Sequence, residues 1–283
     1  MKTIATILVI LTGCLLSAAR EITILPQFVL GDTLKYRMTA QMTMHIENDS
    51  IVIMSNLLPQ LIVEEKNEEG FVISTTNKLE LYNAECSAQK LKELPSAIAP
   101  ENDYIESVRL KIQLDRDCHP DTILNLDAVR DNYVAYVKQQ QGDDYEDSPE
   151  QEMLTKAIAS MMCTPKRLID QQFGNIPYFN FLGIPLESGK IPASMVLSDD
   201  LQKKCHEVTE LEMEVISSGN TIELNMSEDD GFYAINLKGA KEKNKIEGKL
   251  LYAGGIIAHG LLSFKTDLGP MRLSGNFILD AIR

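Results

Sequence analysis

Two Cys-His dipeptides, Cys118-His119 and Cys205-His206, are the residues of this 283-residue chain closest in type to metal ligands. Zinc needs such side chains to converge on one point. Neighbours on a strand point to opposite faces, so neither dipeptide chelates alone, and no C-x-x-C spacing assists them. His206-Glu207-x-x-Glu210 lacks the second histidine of a zinc-protease helix, and residues 207–216 alternate as a strand does. Asp115-x-Asp117-x-x-x-Asp121 clusters the oxygens that calcium prefers, but Pro120 stands where such a loop needs Gly and Leu126 where it needs a bidentate Glu. The stretch reads as a solvated turn. The chain carries no G-x-S-x-G elbow, phosphate loop or G-x-G-x-x-G turn, so no catalytic residue, metal ligand or cofactor is assigned. Asp and Glu are abundant, which keeps a carboxylate-based hydrolase as a second alternative, while the absence of Trp argues against a carbohydrate site.

The residues that point to binding are apolar. Residues 176–185, Ile-Pro-Tyr-Phe-Asn-Phe-Leu-Gly-Ile-Pro, concentrate aromatics between prolines, which restrict regular pairing and favour a shaped, extended loop. Tyr178, Phe179 and Phe181 are the ligand-binding candidates there, with a core wedge between helices and sheet as the competing role. Met38, Met42 and Met44 share one face of a strand and offer an adaptable apolar surface, or a filled core.

Upstream of these elements, Met1-Lys2, an apolar run over residues 4–16 and Ser17-Ala18-Ala19 compose a secretory signal peptide, residues 1–19, cleaved before Arg20. Leu11-Thr12-Gly13-Cys14 also satisfies a lipobox, in which residues 1–13 are the signal and Cys14 carries lipid. The expected location is therefore periplasmic or secreted, with a membrane anchor only through Cys14. In such a compartment Cys86, Cys118, Cys163 and Cys205 are disulfide candidates, two bridges with three pairings left open. The formal charge of -14, or -15 once Lys2 is removed with the signal, excludes nucleic acid as a partner. Lys238, Lys241, Lys243 and Lys245 form one basic cluster, read as a solvated hairpin turn.

Hydrophobic periodicity supplies the elements that must position these residues. Over residues 34–46 every even position and no odd one is apolar, the pattern of a long strand with one buried face. Strands follow at residues 51–57, 61–65, 71–81 and 108–114. The middle of the chain changes to helical spacing. Asp127 is the expected cap of a helix with stripe Val129, Tyr133, Tyr136 and Val137. Ser148-Pro149-Glu150-Gln151 starts a second with Leu154, Ile158 and Met161 buried. Thr164-Pro165 restarts a third with Leu168, Ile169 and Phe173. Strands joined by tight turns return at residues 208–216, 221–226, 232–237, 246–252, 256–265 and 271–282. The fold class is α+β: a large curved antiparallel sheet, a half-barrel-like meander, with a helical insertion at about residues 83–198 packed on one face. Residues 20–283 are expected to form a single domain.

Gly31-Asp32-x-x-Lys35-Tyr36 opening the long strand, the run from Leu110 through Asp127 into a helix, and the Gly-punctuated meander resemble exported bacterial proteins of unknown function. Some of these are similar to the lipoprotein-carrier type of half-barrel. The resemblance implies a curved sheet with helices against its concave side and carries over no functional residue. The resulting expectation is a non-enzymatic exported protein that binds an apolar or lipid-like ligand, or a protein partner, on its sheet. The alternative is a structural or interaction protein of the cell envelope with a filled core.

Overall fold

The computed structural model describes residues 22–46, 49–87, 108–142, 145, 148–198, 201–202, 208–228, 233–235, 241–243, 245–267 and 271–282. Its frame is the strand over Thr33–Ile46, β2, since β1 (Ile22–Thr23) is only a short bridge to β9 (Pro185–Leu186). One edge of β2 is taken by the hairpin ribbon of β3 (Asp49–Leu57), β4 (Gln60–Lys66), β5 (Phe71–Thr76) and β6 (Leu79–Cys86). Met38 to Ile46 pair with β3, while Thr33 to Lys35 pair with β4. Residues 71–81, expected as one strand, therefore break at Asn77-Lys78, opposite the break at Leu58-Pro59. Pro59 lacks the N–H that an unbroken ladder would need.

The C-terminal strands occupy the other edge. β11 (Glu210–Ser218), β12 (Thr221–Ser227), β15 (Lys245–Ala253), β16 (Ile256–Asp267) and β17 (Met271–Ile282) form a meander, and β17 pairs with β2 from Met271↔Ile46 to Ile282↔Lys35. β7 (Leu110–Leu114) and β8 (Pro120–Ile123) end the sheet at one side, and β10 (Gly189–Pro192) ends it at the other. Thirteen strands thus form a large, curved, open antiparallel sheet. Bulges between Val63 and Glu65 and between Leu251 and Tyr252 add local bend and twist. β13 (Tyr233–Ile235) and β14 (Lys241–Lys243) form a separate hairpin between β12 and β15. Lys241 and Lys243 consequently belong to a strand, whereas Lys238 lies outside the described residues.

Within the span 83–198 the described residues hold three α-helices and, in addition, three complete strands of the main sheet, β7, β8 and β10. α1 (Leu126–Gln141) buries Val129 and Val134, with Tyr133 and Tyr136 packed against the core. Its cap position is Asn125, not Asp127. Asn125 makes no cap bond because its side chain accepts from Lys111 N at 2.8 Å and donates to Arg109 O at 2.7 Å, tying the helix start to β7. α2 (Pro149–Met162) starts as the sequence expects, with Ser148 Oγ accepting from Gln151 N at 3.2 Å and Pro149 in the first turn.

The buried face of α2 differs from expectation. Thr155 and Ala159 face inward, while Leu154, Ile158 and Met161 are exposed. Thr155 tolerates burial because its hydroxyl donates to Gln151 O at 2.8 Å. α3 (Pro165–Gln172), capped by Thr164, buries Leu168 and is followed by the buried Phe173.

No disulfide joins Cys86, Cys118 and Cys163 to one another. Those cysteines sit on three different elements, at the end of β6, in the β7–β8 turn and after α2, and Cys205 and Cys14 lie outside the described residues. Burial, followed by the neighbouring Asp115 and Asp117 carboxylates, pushes the Cys118 thiol up to about 11.

Candidate functional site

Edge strand β8, helix α3 and the aromatic loop at residues 176–180 enclose a cleft of about 510 Å³. Each wall is set by a local device. Asp115 Oδ1 accepts from Asp117 N at 2.9 Å and His119 N at 2.8 Å, closing the turn that carries His119 and Pro120 into β8. Lys166, Ile169 and Asp170 recur at helical spacing on α3, so one face of that helix meets the cleft. α3 then ends in a left-handed turn: Asn175 N donates to Asp170 O at 2.8 Å, and Gly174 has φ 60°. This is a Schellman arrangement. A Cβ at Gly174 would overlap Met38 Sδ, so the bare backbone lets the turn rest on β2.

The aromatic loop is fastened to the sheet from below. Tyr178 Oη and Tyr36 Oη share a hydrogen bond of 2.9 Å, and Tyr252 Oη donates to Tyr178 O at 3.2 Å. Phe173 meets Phe179 edge-on at 5.5 Å between centroids, and the Tyr178 and Phe179 rings lie 4.8 Å apart. On the outer side Asn180 Nδ2 donates to Met195 O at 2.7 Å, holding the loop to the short turn Ala193–Met195. Burial raises the pKa of all three phenols, Tyr36, Tyr178 and Tyr252, far enough that they stay neutral in the folded protein.

Ile123, Ile169, Ile176, Pro177, Phe179 and Met195 give the cleft an apolar lining, and Lys166 Nζ pairs with Asp170 Oδ2 at 3.3 Å on its wall. His119, Asp121, Thr122, Asn180 and Ser194 add polar groups around this apolar patch, and a cleft of this size and mixed lining suits a small amphiphilic molecule. Ser194 and His119 both line it, but no hydrogen bond joins them among the described residues, and no nucleophile and base are brought together. Among the described residues no three His, Cys, Asp or Glu side chains converge as metal ligands. Glu68, Glu69, Asp115, Asp117 and Asp121 instead line a separate, open acidic groove with Arg116.

The residues singled out in the sequence divide. Tyr178 and Phe179 are buried as a core wedge would be, and both also line the cleft. Phe181 is fully buried and Met38 is buried under Gly174. Met42 and Met44 are half-buried against the core, and none of these last four lines the cleft. Sequence reading missed Ile123, Ile169 and Met195, whose only signal was apolar type, since three separate segments contribute them.

No family model matches the chain, and no curated protein matches it. The architecture and cleft define an α+β protein with an open antiparallel sheet and a small apolar site. Among solved structures, one that it is similar to is titled "lipid-protein interactions in lipovitellin", with a TM-score of 0.43 and 9% sequence identity. The match covers 91% of this chain and 26% of that one, so the chain spans about a quarter of that protein's length, and the likeness assigns it no ligand.

Proposed function

We propose that this is an exported, non-enzymatic protein that holds an apolar or lipid-like small molecule in the cleft between β8, α3 and residues 176–180. The observation that carries this reading is the lining itself: apolar side chains from four segments around about 510 Å³, braced by hydrogen bonds at Tyr178 and Asn180. Export rests on residues 1–19, with Cys14 as the alternative lipid attachment point. The site stands beside the sheet face first considered, because Met38 and Tyr36 are already covered. That coverage favours a second reading, an envelope interaction protein whose sheet is filled by its own chain.

The chain has no Trp, so an introduced one is a unique reporter. Ile169→Trp places an indole in the cleft, while Ile169→Val leaves it open. The neutral fluorophore N-phenyl-1-naphthylamine should bind the parent protein and the valine variant, and bind the tryptophan variant about tenfold or more weakly at unchanged circular dichroism. Absence of binding to the parent protein, or undiminished binding to a folded tryptophan variant, would remove the cleft as the site and favour the second reading.

A further inference from the structure

Met153, Leu154, Ile158 and Met161 stand on the outside of α2 at 75%, 55%, 40% and 75% exposure. Leu154, Ile158 and Met161 follow helical spacing and form one stripe, widened by Met153 and by the exposed Ala157. The fully buried residues of the helix are the small Thr155 and Ala159, joined at its last turn by the partly buried Met162. Four large apolar groups outside against one, Met162, inside reverse the order expected of a helix stabilised only by its own core.

Area and charge decide what covers the stripe. A helix of 14 residues is about 21 Å long and about 10 Å wide, so this face offers on the order of 200 Å². A stable protein–protein interface needs about 800 Å² from each partner. A second copy docked through α2 alone falls well short. A lipid surface imposes no such minimum, because each side chain that enters the acyl boundary contributes separately. The helix start carries Glu150 and Glu152, and its single lysine, Lys156, is paired with Glu152 at 2.7 Å. With a chain charge of -14, an anionic lipid surface repels the protein.

We propose that α2 docks the protein peripherally and reversibly on an uncharged, zwitterionic lipid surface, with Met153, Leu154, Ile158 and Met161 entering the acyl boundary. No described helix is long and apolar enough to cross a membrane, and docking requires none. Pro165 in the cleft wall lies only four positions after Met161, a span of at most about 14 Å. The docking surface and the cleft mouth are therefore near neighbours, although docking does not depend on what the cleft holds.

Flotation of the mature, unlipidated chain with vesicles tests this. The protein should float with phosphatidylcholine vesicles, equally at low and high salt, and less with vesicles that also contain phosphatidylglycerol. The double variant Met153→Glu/Met161→Glu changes only exposed positions and should lower flotation about tenfold or more, whereas Met153→Leu/Met161→Leu should retain it. N-phenyl-1-naphthylamine binding, measured without vesicles, should be the same in both double variants, which separates failure of docking from failure of the cleft. The proposal is overturned if the parent chain stays at the bottom of the gradient, or if the glutamate variant floats equally well. It is overturned as well if light scattering shows a dimer that the glutamate variant dissociates, since the occupant is then a second copy.

Discussion

Tyr178 connects the candidate site to the sheet through two oxygen atoms and to its neighbours through its ring. Its hydroxyl meets Tyr36, its carbonyl accepts from Tyr252, and its ring packs on Phe173 and Phe179. Ionising any of the three phenols would place a negative charge in the core, and burial is the largest cause of their raised pKa values. The sign of the linkage follows. The unfolded phenols ionise near the ordinary 10 and the folded ones above it, so their contribution to stability is fully present below pH 10 and declines as pH rises further. In an alkaline titration followed at 295 nm, three of the nine tyrosines should ionise only together with loss of the far-ultraviolet circular dichroism. Nine phenols ionising with the fold intact would contradict the buried triad.

At the scale of elements, the end of α3 decides whether the cleft exists. Gly174 adopts φ 60° and Asn175 φ 63°, and this left-handed turn aims the chain from the helix into the aromatic loop. Gly174→Ala adds both left-handed strain and an overlap with Met38 Sδ. It should cost roughly 1–3 kcal/mol in denaturant unfolding and weaken N-phenyl-1-naphthylamine binding. An alanine variant with the parent's midpoint and binding would show that the turn relaxes freely. The helices also show where periodicity stops being informative. Ser148, Pro149, Thr164 and Pro165 were readable because capping is settled within a few residues. Leu154, Ile158 and Met161 had the spacing of a buried stripe, yet spacing defines a face and not the side of the helix that meets the sheet.

Over the whole molecule, pairing of β17 with β2 joins the C-terminal meander to the N-terminal ribbon, so the first long strand and the last lie side by side at the centre of the sheet. Their amides have neighbours on both edges, unlike those of the flanking strands β8 and β10. Native-state hydrogen exchange should find its slowest amides in β2, β16 and β17, with β8 and β10 exchanging faster; equal protection across the sheet would contradict this arrangement. Strand identity was legible because alternation is a local property: Leu34 to Ile46 and the turns at Ser218-Gly219 and Ala253-Gly254 follow from side-chain type alone. The break at Asn77-Lys78 was not legible, because it matches the break at Leu58-Pro59 between the facing strands β3 and β4. The sequence by itself determined the antiparallel α+β class, the starts of α2 and α3, and the aromatic loop. Only the tertiary structure decided that Met38 is covered, that α2 turns its large apolar face outward, and that Ile123, Ile169, Ile176 and Phe179 surround one cleft. Those outcomes depend on contacts between residues distant in the chain, whose geometry exists only once the sheet has assembled.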